Sequence, residues 1–197
     1  MNHITHIVVE DTTFPGAQVF KKNKPSIPCS SCVFLVGDQG VGKSTLLKML
    51  KQSQGLKIDT HKDISPSTQL YYFDTEHDNP RTVSLDKSAS DAALGYAMHS
   101  KRHSHGEVLK DLVFDMVDEY ENCIILLDEP ESGLSITHQY LLKQKIKIAT
   151  EKYACQFFIA THSVILIENE TVFSLEHNKV MSGNEYIKKS KKKSLDT

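Results

Sequence analysis

The residues best suited to chemistry are Gly37, Asp38, Gln39, Gly40, Val41, Gly42, Lys43 and Ser44, followed by Thr45. Their G-x-x-x-x-G-K-S spacing lets a loop wrap an anion with backbone N–H groups, because glycine has no Cβ to block close approach. A helix beginning at Lys43 adds unpaired N–H groups and the positive end of its dipole. Lys43 would then reach the β- and γ-phosphates of a nucleotide, and the Ser44 hydroxyl would ligate Mg²⁺. A glycine-rich turn that binds nothing leaves the lysine, the serine and the flanking strand and helix unexplained.

Three further stretches carry chemistry. Asp128 and Glu129 follow the apolar run Cys123 to Leu127. A carboxylate at such a strand end can hold Mg²⁺, usually through water, while its neighbour polarises the water that attacks a γ-phosphate. Adjacent residues of a strand point to opposite faces, which suits metal on Asp128 and water on Glu129. His162 lies just beyond the apolar run Gln156 to Ala160; in isolation it is an ordinary strand-end histidine. Ser104-His105-Gly106-Glu107 has capping-box spacing ahead of Val108, Leu109, Leu112, Val113, Met116 and Val117, an apolar helical stripe.

The elements that must position these groups alternate between strand and helix. Residues 4–9 and 33–36 suit strands, and a helix runs from Lys43 to about Gln52, ending before Gly55. Residues 11–28 read as loop, broken by Pro15, Gly16, Pro25 and Pro28. Within it, Phe14 or Phe20 could stack on a nucleotide base or belong to the core. Residues 69–73 suit a strand, and Asp74 to Arg81 a polar turn at its C-terminal end, the edge where open α/β sheets bind ligands. Ala89 to Met98 suits a short helix. Cys123 to Leu127 and Gln156 to Ala160 have the continuous apolar character of parallel strands covered on both faces. Residues 135–152 suit a helix, and a last strand is expected near Thr171 to Leu175.

The 197 residues fit one domain over 1–187, and the ordinary hydrophobic and charged fractions, 39% and 24%, leave function to the motifs. The net charge of −2 conceals a basic tail over 188–197, with five lysines against Asp196, for which a solvated, disordered end is expected. Such a tail could contact nucleic-acid phosphates non-specifically, a weak basis for a nucleic-acid role. No apolar run approaches a membrane span, and the first residues do not form a signal peptide, so a cytoplasmic location is expected. Cys29 and Cys32 form a C-x-x-C pair without the further ligands of a zinc site, and Cys123 and Cys155 suit small core hydrophobes. Nor does an acid or cysteine complete a ligand set around His99, His103 and His105.

Taken in order, the four motifs, Gly37 to Ser44, Ser104 to Glu107, Leu127 to Ser135 and Ala160 to Ser163, resemble the ABC-type ATPase superfamily over roughly residues 30–175. Within it the chain is similar to small stand-alone ATPases of the SMC and DNA-repair branch rather than to transporter subunits. The resemblance implies an α/β P-loop NTPase fold with a parallel-sheet core, a strand inserted between the phosphate-loop and Asp-Glu strands, and a small signature-helix lobe. It implies ATP and Mg²⁺ as cofactors, with nucleotide held by residues 37–45 and metal by Ser44 and Asp128. Glu129, His162 as switch histidine and Lys43 would be the catalytic residues. Ser104, Gly106 and Glu107 would contact the nucleotide of a second copy in a head-to-tail homodimer, with no membrane association. Hydrolysis would be coupled to an effector protein in a task such as DNA maintenance or defence. The alternatives are a slow, nucleotide-gated regulatory module and, less favoured, a transporter ATPase subunit. The short interval between Ser44 and Ser104, and Ser135 in place of an aspartate, argue against the transporter. Gln69, Asp74 and Glu76 remain open as replacements for the family's glutamine loop.

Overall fold

The computed structural model describes residues 3–60, 68–74 and 120–195. The Ser104 to Glu107 motif with its signature-helix lobe, the helix expected over Ala89 to Met98, Glu76 and the turn after Asp74, and His99, His103 and His105 all lie outside the described residues. In chain order the elements are β1 (Ile4–Val9), a 3-10 turn (Ala17–Phe20), β2 (Ser26–Pro28), β3 (Cys32–Val36), α1 (Lys43–Gln52), β4 (Leu56–Thr60) and β5 (Leu70–Asp74). They continue with β6 (Ile124–Asp128), α2 (Ile136–Lys152), β7 (Gln156–Ala160), α3 (Val164–Ile167), β8 (Thr171–Ser174), β9 (Lys179–Ser182) and α4 (Gly183–Leu195).

A six-stranded sheet runs in the order β5-β6-β7-β3-β8-β9, parallel except for the β8–β9 pair. β7 thus lies between the phosphate-loop strand β3 and the Asp128 strand β6, as the family resemblance implies. Every residue of β6 and β7 is buried, because both faces of the sheet are covered. Alternation divides the strands between two apolar clusters. Phe34, Ile125, Leu127, Phe157 and Ile159 pack with Leu142, Ile146 and Ala149 of α2. Val33, Leu35, Ile124, Leu126 and Phe158 pack with Leu46, Leu47 and Leu50 of α1.

The second cluster is extended by an antiparallel sheet of order β2-β1-β4. Gln156 joins the two sheets: its side chain accepts from Ile4 N at 2.7 Å and donates to the carbonyls of Ile4 at 2.7 Å and Ser30 at 2.8 Å. Fully buried, this amide is satisfied at both ends, which is the condition for a polar group in a core.

Several expectations are corrected. The stretch 11–28 is not all loop, since β2 forms there by pairing with β1, a long-range partner that local composition cannot reveal. Within the same stretch Phe20 is core, 2% exposed, and unavailable for base stacking, while Phe14 is half-buried against the same cluster. Neither β4 nor β9 is anticipated, so the strand at Thr171 is not the last. Val164 to Ile167, for which the sequence sets no expectation, is a single helical turn capped by Ser163, whose Oγ accepts from Leu166 N. Residues 188–195 of the expected disordered tail belong to α4, which begins at Gly183. Two apolar anchors, Tyr186 and Ile187, pack on the core cluster, and Lys193 pairs with Asp38 and Glu176 at 2.6 and 2.9 Å. Counting lysines gives no weight to those contacts. None of the four cysteines forms a disulfide.

Gly183 opens α4 at a point where the backbone approaches closely: a Cβ there would lie 1.9 Å from the Ile167 carbonyl oxygen. Gly183→Ala must displace one of the two segments, a cost of about 1–3 kcal/mol. Urea denaturation should show a lowered midpoint; an unchanged midpoint would exclude this close packing.

Candidate functional site

The loop between β3 and α1 has a conformation that demands glycine at its end. Gly42 has φ 100°, and a Cβ there would meet the Phe20 ring at 2.5 Å and Val19 Cγ2 at 2.7 Å. Gly42 also caps α1 without any side chain covering the first turn, leaving the helix N-terminus open to an anion. The Lys43 side chain folds back into the loop, where Nζ donates to the carbonyls of Gly37 at 2.9 Å and Asp38 at 3.2 Å. Burial lowers the Lys43 pKa, against the attraction of Glu129, Asp128, Asp38 and Glu131.

Opposite the loop, Ser44 Oγ donates to Asp128 Oδ1 at 2.9 Å. Asp128 ends β6 and is paired in register with Asp74 at the end of β5. The Tyr72 hydroxyl lies 3.2 Å from a carboxylate oxygen of each and, having one proton, can donate to only one at a time. Lys48 Nζ stands 3.6 Å from Asp74 Oδ2. Burial pushes the Asp128 carboxyl up to about 6; the hydrogen bond from Ser44 opposes this, the negative charge of Asp74 adds to it, and Tyr72 and Lys48 oppose it. Of the two glutamine-loop candidates within the described residues, Gln69 and Asp74, it is Asp74 that lines the site. Gln69 lies just before β5, at the end away from the site, where its side chain accepts from the Tyr71 hydroxyl.

Glu129 follows Asp128 with φ 49°, a left-handed conformation uncommon for a non-glycine residue. Its N–H donates to Ala160 O at 2.9 Å, extending the β6–β7 ladder by one residue. Strain of this kind persists where surrounding contacts over-determine it. The turn aims Glu129 Oε1 towards His162 Nε2, 3.6 Å away beyond the end of β7. Gln39, Gly40, Lys43, Ser44, Thr45, Asp128, Glu129 and His162 line one cavity of about 270 Å³, together with Gly42, Lys48 and Asp74. Three expected loop residues do not line it. Gly37 supplies a carbonyl to Lys43, Val41 packs on the core, and the Asp38 carboxylate turns outward to Lys193.

Residue-by-residue reading of the sequence missed Tyr72, Lys48 and Glu131. Tyr72 and Lys48 enter because a strand and a helix turn bring them beside Asp74 and Asp128; two residues before Asp74 in a strand, Tyr72 shares its face, a signal the sequence does carry. Glu131 turns back to accept the N–H groups of His162 at 2.7 Å and Ser163 at 3.0 Å. Chemically the arrangement offers an anion cradle, a set of oxygen ligands beside it, and a carboxylate and an imidazole facing the same space. The described residues hold no group of three or more His, Cys, Asp or Glu side chains arranged as a metal site.

No family model matches the chain. It is 28% identical over 165 residues to the zinc import ATP-binding protein ZnuC of Mannheimia succiniciproducens, with 74% of this chain and 62% of that protein covered. It is also 28% identical over 162 residues to the ATP-binding protein Uup of Caulobacter vibrioides, covering 74% of this chain and 26% of Uup. The chain spans 62 to 65% of the length of the ZnuC relatives from Mannheimia, Pasteurella and Haemophilus. The ATP-binding cassette MJ0796, solved as a post-hydrolysis dimer bound to ADP and Pi, superposes with a TM-score of 0.55 at 13% identity, covering 92% of this chain and 98% of that one. CbiO1 from Clostridium perfringens gives 0.52 at 16% identity, covering 95% and 92%. These relatives do not support a preference for the SMC and DNA-repair branch. The chain is thus similar in sequence to ATP-binding proteins and has the α/β fold of an ATP-binding cassette.

Proposed function

We propose that the chain binds Mg·ATP and hydrolyses it to ADP and phosphate. The observation that carries this reading is the 2.9 Å hydrogen bond from Ser44 to Asp128, which joins the phosphate cradle to the catalytic strand end within one cavity. Ser44 and Asp128 fit a hard divalent cation, because the donors are all oxygen and the buried carboxylate gains from a nearby positive charge. Mg²⁺ held there would neutralise charge on the β- and γ-phosphate oxygens. Lys43 exchanges its two loop carbonyls for phosphate oxygens, and the amides of residues 37–45 hold the remainder of the phosphate chain. Glu129 orients and deprotonates the attacking water, and His162 contacts the terminal phosphate from the adjoining strand end. Asp74, in register with Asp128, takes the glutamine-loop position.

A head-to-tail homodimer would place Ser104, Gly106 and Glu107 of one copy against the nucleotide of the other. The task served is either that of a stand-alone ATPase with an effector protein, as the SMC and DNA-repair resemblance implies, or that of an importer subunit. The ZnuC relatives favour the importer; cofractionation with membranes would support it, and recovery only in the soluble fraction would count against it. No helix among the described residues is long and apolar enough to cross a membrane.

Lys43→Ala should abolish ATP binding measured by calorimetry, and unchanged turnover would sink the assignment. Glu129→Gln should lower kcat by about 10²- to 10⁴-fold, the usual share of a general base, while retaining ATP. Size-exclusion chromatography with ATP should then show a trapped dimer. Asp128 has a folded-state pKa above its ordinary value of 3.8, so its ionisation opposes folding, and stability is lost as pH rises from 3.8 through about 6. In EDTA at pH 7.5, Asp128→Asn should therefore be the more stable protein, by up to about 3 kcal/mol. At pH 4.5 the difference should fall to about a third of that, and equal urea midpoints of the two proteins at both pH values would refute the electrostatic account.

A further inference from the structure

Glu131 has no role in the catalytic reading, yet it is a carboxylate turned inward beside the reacting groups. Its Oε1 accepts two successive backbone N–H groups, from His162 at 2.7 Å and from Ser163 at 3.0 Å. Both are charge-assisted bonds, stronger than those a neutral acceptor would make. Burial pushes the Glu131 pKa up, opposed by its own backbone N–H, the His162 N–H and the Thr161 hydroxyl, with the charge of Glu129 adding to the rise. Oε2 is buried without a hydrogen bond of normal geometry among the described residues. A carboxylate left in that state is costly and needs an explanation.

The explanation lies in what Glu131 connects. Its own backbone belongs to the turn after Asp128, where Ser132 N donates to Glu129 O at 3.0 Å and Leu134 N donates to Glu131 O at 2.9 Å. Ser163, one of its two partners, caps α3 and donates through Oγ to Gln139 Oε1 at 2.7 Å. Gln139 in turn donates to Leu134 O at 3.1 Å, closing a ring that joins the Glu129 turn, the His162 segment and α2. Among the described residues, no backbone carbonyl accepts from the His162 N–H, and its acceptor is Glu131. The ring of His162 is thereby presented to Glu129 at 3.6 Å.

We propose that Glu131 is a positioning residue: by accepting the backbone N–H groups of His162 and Ser163 it fixes the distance from the His162 imidazole to Glu129 and to the terminal phosphate. The proposal rests on the ATPase reading for its catalytic consequence, but the geometry can be tested without turnover. Glutamine retains an acceptor oxygen of the same shape, whereas alanine retains none. In the nucleotide-free protein, the ¹³C imidazole resonance of His162 should move in Glu131→Ala and stay near its wild-type position in Glu131→Gln. An unmoved resonance in the alanine variant, or an equal displacement in both, overturns the proposal.

In turnover assays Glu131→Ala should lose at least tenfold in kcat with KM for ATP within threefold, and Glu131→Gln should keep kcat within threefold. A loss confined to KM, or shared equally by both variants, overturns it. Should the alanine variant fail to fold, hydrogen exchange in the wild-type protein decides: slow exchange at His162 and Ser163 N–H supports the clamp, and exchange at the rate of an unprotected peptide refutes it. Absence of any ATPase activity in the wild type would defeat the proposed function while leaving the resonance and exchange results to decide the role of Glu131.

Discussion

β7 lies between β3 and β6, and the register of those parallel pairings governs the site. One row of paired residues crosses the sheet, from Asp74 through Asp128 and Ala160 to Leu35. Because all four strands run the same way, whatever follows that row emerges on a single edge. The phosphate loop, Glu129 and His162 come from segments far apart in the chain, yet neighbouring strands stand only about 4.8 Å apart. A shift of one residue in the β6–β7 register would turn Asp128 towards the opposite face and remove the acceptor from Ser44. Alternating apolar residues on both faces of β6 and β7 secure the register, since such a shift would also exchange the two sets of core side chains.

Around this edge the electrostatics are unbalanced in a way that suits a site awaiting charge. Asp74 and Asp128 are both buried, share one tyrosine hydroxyl, and have Lys48 as a flanking cation at 3.6 Å from Asp74. Across the cavity, Lys43 is buried and held by two carbonyls rather than by a carboxylate. These two carboxylates and two ammonium groups thus line one cavity. Such a preorganised arrangement needs little reorganisation when charge develops. The backbone shares the burden, with Gly42 and Glu129 both in left-handed conformations on either side of the cavity.

The C-terminal helix shows how an ionic inventory can mislead. Its lysines are numerous, but Tyr186 and Ile187 bind the helix to the core, and Lys193 extends back to Asp38 in the phosphate loop. A segment that composition alone assigns to solvent therefore borders the site.

The sequence by itself determined the phosphate cradle, the apolar strands and their order of motifs, because these depend on local rules: glycine where φ is positive, continuous apolar runs where both sheet faces are covered, and helix periodicity after Lys43. β2, β4 and β9 were decided by pairing across the chain, which no local pattern records. The same holds for the choice of Asp74 over Gln69, which follows from the end of β5 that faces the cavity. Glu131, in sequence merely an acid in a polar turn, has its role set by the tertiary structure. Only when β6 and β7 lie side by side do the N–H groups of His162 and Ser163 come within its reach.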